Sequence, residues 1–491
     1  MTFTPENILL LGSLLIITAI FISRVGYRFG IPTLLLFLFV GMLFGTDGLG
    51  LEFDDYYTAQ FVGVVAMTVI LFAGGLETNF RSVKPVLKQG VILSTVGVLL
   101  TVLFTGFFIY GMTRWMQFPI ELSLTMSLLM AAVMSSTDSA SVFSLLRDNK
   151  MRLKENLQPV LELESGSNDP MAYVTTIVLI ETTRTLFDPS CVQTDTSALA
   201  MCLIGLKTLV MQLAIGAVLG LGIGFGVSKL LEKLTLKSAP LYAILLLAIA
   251  FFTMSVTGLL KGNGYLAVYL AGIVIGNRPL VHKGEIFRFM DGMTWIMQIG
   301  MFLTLGLLVN PKEMLQVAPV GLLVGIFLML AARPLSVFLC LIPFRNMSFR
   351  SKTFISWVGL KGAAPIIFAT YPVLEDVPGA NYIFNVVFFI TLISLIMQGM
   401  SIPYIARKLH LDLPEEDNPQ TFGVALPEEA GILKDYTLEE ADLSSGNTLK
   451  EVELPGEGSR VVLIKRGESV LIPNGQVQLK AGDVLVIVIP Q

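Results

Sequence analysis

The sequence predicts an all-α polytopic membrane protein of about thirteen transmembrane helices, built as two inverted repeats, with a small α+β cytoplasmic domain at its C-terminal end. Three observations carry this reading. Of 491 residues, 54% are hydrophobic and 14% charged, at a mean hydropathy of +0.75, where a soluble chain has about a quarter of its residues charged. Apolar runs recur near 20 residues, the length a helix needs to cross about 30 Å of hydrocarbon. Basic residues alternate between the loops in step with those runs.

The spans fall at about 7–24, 31–46, 58–77, 85–111, 120–146, 156–182, 203–230, 240–258, 264–277, 287–309, 317–342, 352–372 and 382–405. Short cytoplasmic loops retain Lys and Arg. One side collects twenty: Arg24 and Arg28; Arg81, Lys84 and Lys88; Arg147, Lys150, Arg152 and Lys154; Lys229, Lys233 and Lys237; Arg278, Lys283 and Arg288; Arg345, Arg350 and Lys352; Arg407 and Lys408. The other has five: Arg114, Arg184, Lys207, Lys261 and Lys312. The bias predicts an N-terminus outside and a C-terminus in the cytoplasm. The start, Met-Thr-Phe-Thr-Pro-Glu, lacks the basic region of a cleavable signal, so the first run reads as a permanent helix.

Residues 1–409 form the membrane domain on this reading. Leu-Pro-Glu-Glu-Asp-Asn-Pro-Gln lies in a polar linker over 410–421. A domain over 422–491 follows, in which 460–465 and 484–489 are β-branched runs and Asn474-Gly475 and Ala481-Gly482-Asp483 are turns. Cys191, Cys202 and Cys340 show no disulfide or thiolate-metal spacing. His282 and His410 sit beside basic residues at segment ends and do not read as ligands. A net charge of −4 gives no reason to expect nucleic acid as a partner.

Two polar interruptions carry the chemistry. Ser135-Ser136-Thr137-Asp138-Ser139 lies within the fifth span, and Glu164-Ser165-Gly166-Ser167-Asn168-Asp169-Pro170 within the sixth. An Asp at a helix centre costs roughly 2.5–3.5 kcal/mol on insertion scales, so such groups line routes for ions or protons. Residues four apart share a helix face, which stacks Ser165 with Asp169 and Glu164 with Asn168. Gly166 admits a neighbouring helix closely, and Pro170 opens the backbone ladder.

The hydroxyls of 135–139 compete with helix hydrogen bonds and predict a break. A break at membrane depth is tolerated where it lines a cavity, and inverted repeats bring two broken helices together. Its counterpart in span 12 is Gly359-Leu360-Lys361-Gly362-Ala363-Ala364-Pro365. Crossing breaks pair two positive and two negative helix ends, so Asp138 and Lys361 are expected to offset the dipoles. Arg333, within span 11, needs a buried carboxylate partner, with Glu164 favoured over Glu162. Glu77, ending the third span, reads equally as an interface residue or one reaching the cavity through water.

Burial favours the protonated form of a carboxylate and a bound cation the ionised form. A proton and a metal ion therefore compete for Asp169, which suffices for exchange. Oxygens of the Thr137 carbonyl, Asp138, Ser165 and Asp169 suit a hard alkali ion, Na+ or K+.

These motifs resemble the NhaP-type branch of the monovalent cation:proton antiporters, along with Gly264-Tyr265-Leu266-Ala267-Val268-Tyr269-Leu270-Ala271-Gly272 in the ninth span and Arg333-Pro334 in the eleventh. The resemblance implies a core and a dimerisation domain, hence a homodimer, in a bacterial cytoplasmic membrane. It makes Asp169 the shuttling carboxylate and Asn168 the mark of electroneutral exchange. Lys361 stands where Arg is common, which puts a bidentate contact in doubt. The tail resembles an RCK-C (TrkA-C) domain, carried by Arg466-Gly467-Glu468, Ile472-Pro473-Asn474-Gly475 and Lys480-Ala481-Gly482-Asp483-Val484-Leu485. That implies K+ before Na+ and a small regulatory ligand; no cofactor is implied.

A rival K+ channel would need a T-V-G-Y-G-like filter, which is missing. An intramembrane hydrolase would need H-E-x-x-H, G-x-S-x-G or a membrane histidine as base; none is present, so the chain is not read as an enzyme. A proton-coupled symporter of another solute is the remaining alternative.

Overall fold

The computed structural model describes residues 5–29, 32–115, 122–149, 151–187, 198–414, 432–438, 440–443, 446–449, 451–452, 460–466, 469–474 and 477–489. The linker residues 415–421 and Cys191, Gly467, Glu468 and Gly475 lie outside them. The chain divides into two compact units, Met1–Leu413 and Pro414–Gln491.

In the first unit the helices are α1 (Pro5–Phe29), α2 (Thr33–Phe44), α3 (Tyr56–Glu77) and α4 (Phe80–Trp115), then α5 in two halves, α5a (Leu124–Val133) and α5b (Ser139–Asp148). There follow α6 (Leu157–Phe187), α7 (Ala198–Lys233), α8 (Ala239–Leu259), α9 (Gly264–Gly276), α10 (Lys283–Leu308) and α11 (Pro311–Leu341). The last passes are α12, halved into α12a (Phe349–Trp357) and α12b (Ala363–Leu374), and α13 (Ala380–Lys408). Among the described residues seven helices are long and apolar enough to cross a membrane. α2, α5a, α9 and α12b are apolar but shorter. α6 is long, and it carries Glu162, Glu164 and Asp169.

The two breaks fall where hydroxyls and glycines compete with the helix ladder. Residues 135–138 leave helical geometry, and Asp138 caps α5b by accepting from the Ser141 amide at 3.0 Å and from its hydroxyl. Residues 358–362 separate the halves of α12. The segments touch: the Asp138 amide donates to the Leu360 carbonyl at 2.8 Å. α6, by contrast, runs unbroken through Pro170, whose carbonyl accepts from the Asn263 side chain at 2.7 Å.

Three widened π-turns interrupt α4 at Leu93–Gly97, α11 at Leu328–Ala332 and α13 at Leu395–Gly399. The second ends immediately before Arg333, and the third contains Gln398. Such turns shift the helix face by one residue and concentrate at functional positions. α3 packs against α9 at backbone distance, because a Cβ on Gly272 would lie 3.1 Å from the Gly75 Cα.

The second unit holds an antiparallel sheet of β1 (Ile432–Thr437), β2 (Arg460–Arg466), β3 (Ser469–Leu471) and β4 (Val484–Ile489) in the order β1-β4-β2-β3. Its described residues add one 3₁₀ turn, Glu440–Leu443, so the helical part of the expected α+β domain is not among them. Ile464, Leu485 and Ile487 form its core with Leu438 and Leu479. Beside them Arg466 grips the buried Asp483 with Nε at 2.8 Å and a terminal nitrogen at 2.6 Å, which holds that carboxyl below the usual range.

Candidate functional site

α5, α6 and α12 deliver the site because the break of α5 lies against one face of α6 and touches the break of α12. On that face Ser165 donates to the Thr137 carbonyl at 2.8 Å and accepts from the Ser139 amide at 3.0 Å, bridging the break of α5. Asn168 donates to the Thr137 hydroxyl, and its own Oδ1 is buried with no hydrogen-bond partner among the described residues. Asp169 accepts from the Ser136 hydroxyl. Ser136 belongs to the hydroxyl run but was not singled out in the sequence as a ligand.

The dipole ends are met as the crossing geometry requires. Asp138 sits at the positive start of α5b and presses against Gly362 at the start of α12b, where a Cβ would collide with its carboxylate. Lys361, 2% exposed, extends to the opposite ends and donates to the Ser136 carbonyl at 2.8 Å and the Ser135 carbonyl at 3.4 Å. Arg333 forms an ion pair with Glu164, their side chains 5% and 2% exposed. The Arg333 side chain also lies against the α12 break, since a Cβ on Gly359 would be 3.2 Å from its Nε. This pair therefore ties α6 and α11 to the unwound segment.

Asp169, Asp138 and Ser165 line a cavity of about 510 Å³. On α6 the lining residues are Gln158, Glu162, Ser165, Gly166 and Asp169, a stripe running from the N-terminal end of the helix. The wall continues through Glu77, Arg147 and Asp291, the first two at helix ends that carry basic loops. Glu77 contacts Asp291 side chain to side chain. Glu77 thus lies on the cavity wall rather than at a plain interface. Gly166 is the notch that admits Tyr269 of α9: a Cβ there would strike the phenol ring.

One turn beyond Asp169, past the end of the lining stripe, Tyr173 packs edge-on to Tyr265 at 5.1 Å and to Tyr371 at 5.5 Å between ring centroids. Tyr265 is fully buried. This aromatic closure was not read from the sequence, where tyrosines at helical spacing look like ordinary core. The cavity therefore reaches Asp169 from one face of the helix array, with an aromatic cluster beyond it. Such an arrangement admits a hydrated cation to the partly buried Asp169 carboxylate, with that of Asp138 on the same cavity and the Ser136 hydroxyl beside it.

The sequence profile of the transmembrane sodium/hydrogen exchanger family matches residues 13–408, and that of the TrkA-C domain matches 435–491. A K(+)/H(+) antiporter NhaP2 of Shewanella sp. (strain MR-4) is 39% identical over 485 residues, covering 98% of this chain and 81% of that protein. The K(+)/H(+) antiporter NhaP of Alkalimonas amylolytica is 36% identical over 95% of this chain and 75% of its own length. The Na(+)/H(+) antiporter ApNhaP of Aphanothece halophytica is 27% identical, covering 74% of this chain and 68% of that one. The solved sodium proton antiporter MjNhaP1 of Methanocaldococcus jannaschii shares the fold at a TM-score of 0.69, with 24% identity, 82% of this chain and 99% of that chain covered.

Proposed function

The chain belongs to the sodium/hydrogen exchanger family, and from that premise we propose that it exchanges one alkali cation, K+ before Na+, for one proton by alternating access at Asp169. The observation that carries this reading is the placement of Asp169 at the inner end of a cavity open toward the basic loops, with the hydroxyl of Ser136 on its carboxylate.

By the charge bias those loops are cytoplasmic and the N-terminus is outside, so the cavity corresponds to an inward-facing state. An ionised Asp169 takes the cation there, with Asp138, Ser165 and the Thr137 carbonyl as further oxygens. The loaded or protonated site is neutral and can move across; an empty carboxylate is held back by its desolvation cost. Coupling follows without any further gate. Asn168, in place of a second acid on that turn, leaves one titratable group and so one proton per cation. Glu164, Arg333 and Lys361 hold the frame rather than the ion.

K+ is favoured because the relatives named for K+ match this chain through its TrkA-C tail. The resemblance further suggests a homodimer in a bacterial inner membrane, with a small ligand acting at the tail.

The test uses purified protein in liposomes with an acidic interior, to which K+, Na+ or Li+ is added while internal pH is followed. K+ alkalinises the interior most strongly, and clamping the voltage with valinomycin under matched gradients leaves the rate unchanged. A voltage-dependent rate contradicts one-to-one exchange, and no response to any alkali ion contradicts exchange itself.

A further inference from the structure

Ser394, immediately before the π-turn of α13, and Gln398, within it, both hydrogen-bond the α12 break. Ser394 and Gln398 are buried, 0% and 1% exposed. The Ser394 hydroxyl accepts from the Lys361 amide at 2.9 Å and donates to Gln398 Oε1 at 2.5 Å. Gln398 Nε2 then donates to the Trp357 carbonyl at 2.8 Å. The two residues thus satisfy a freed carbonyl at the end of α12a and a freed amide in the unwound segment, groups that lipid would leave unpaired. From Lys361 the chain of contacts continues through Nζ to the Ser136 carbonyl, and from the Ser136 hydroxyl to Asp169.

We infer that Ser394 and Gln398 are positioning residues for exchange: they splint the unwound segment 358–362 and, through it, fix the Lys361 ammonium on the carbonyls of Ser135 and Ser136. That placement keeps the ammonium off the cation's oxygens. The charged groups around Lys361 are Glu164 and Asp169 of α6, Arg333 of α11 and Asp138 of α5. An ammonium released from the two carbonyls is drawn to the carboxylates around it, and at Asp169, the cation's own, it competes with K+. The π-turn at Leu395–Gly399 carries Gln398 to the broken helix while α13 continues to Lys408.

This inference rests on the exchange reading above. Its test measures the KM for K+ and the maximum rate of proton movement in liposomes for the full chain and for Ser394→Ala and Gln398→Met. Each variant raises the KM roughly three- to tenfold, the size of one lost hydrogen bond, with the maximum rate per folded protein changed less than about twofold. Ser394→Thr, which keeps the hydroxyl, brings the KM back toward the parent value. Met397→Leu, on the exposed side of the same turn, has no effect. A KM unmoved in both Ser394→Ala and Gln398→Met, with only the maximum rate lowered, overturns the inference and leaves these residues a purely structural role. KM does not depend on the active fraction, so partial misfolding cannot hide the result. A parent protein that moves no protons with K+ counts against the exchange reading, whereas a working parent with unmoved variants counts against this inference alone.

Discussion

Asp169→Asn reduces cation-driven proton movement to the rate of empty liposomes, with K+ and with Na+ alike and at every pH. The amide has nearly the shape of the carboxyl and still accepts from the Ser136 hydroxyl, so the fold and the α5 break are expected to survive. What is lost is the negative charge that draws the cation and the oxygen that binds the proton. Neither Asp138 nor Glu164 takes over. Asp138 is committed to the start of α5b, and Glu164 to Arg333. The check is an exchange assay on variant protein that elutes as a single species with parent-like thermal stability. Residual exchange above background would place the coupling elsewhere.

Glu164→Gln produces the second large effect, and this one falls on stability. The substitution strands the Arg333 guanidinium in a site where its side chain is 5% exposed. Breaking a buried pair from one side costs about 3–5 kcal/mol, because a charge remains without compensation. The Nε of Arg333 already lacks a hydrogen-bond partner among the described residues, so the site has little spare capacity to satisfy the guanidinium. Thermal unfolding of the purified variant should show a marked drop in the midpoint and in folded yield. Removing both charges, as Glu164→Met with Arg333→Met, should be milder than the single change, since no ion is left buried. A single variant as stable as the parent would mean that water or another anion reaches Arg333.

Much of this architecture was legible in the residues. The breaks at 135–138 and 358–362 are signalled by hydroxyls in one span and by glycines with a proline in the other, both of which offer the backbone partners or conformations outside a helix. The basic-loop alternation separates α9 from α10 although both are weakly apolar at their ends. The carboxylate and amide spacing of α6 places Ser165 and Asp169 on one stripe, as found along the cavity. Pro170 removes one backbone donor and so leaves the Gly166 carbonyl without its ladder partner, yet α6 runs on through it.

The π-turns were invisible. Leu395–Gly399 lies in a continuous apolar run whose composition does not register one extra residue per turn, so Gln398 reads as a stray polar group facing nowhere. Tyr173, Tyr265 and Tyr371 come from three helices distant in sequence, and only packing brings their rings together. In the tail, β1 and β3 escaped notice because Lys434 and Asp435 interrupt one strand and the other has three residues.

The central claim is that one carboxylate holds a proton or an alkali ion, never both. The most direct measurement adds K+ to purified, weakly buffered protein near neutral pH and records proton release, with Asp169→Asn as reference. The account predicts that up to one proton is released per K+ bound, the amount rising as the pH is lowered and more of Asp169 is protonated beforehand, and that none is released from the variant. K+ binding that releases no proton from the parent protein, or equal release from the variant, would contradict it.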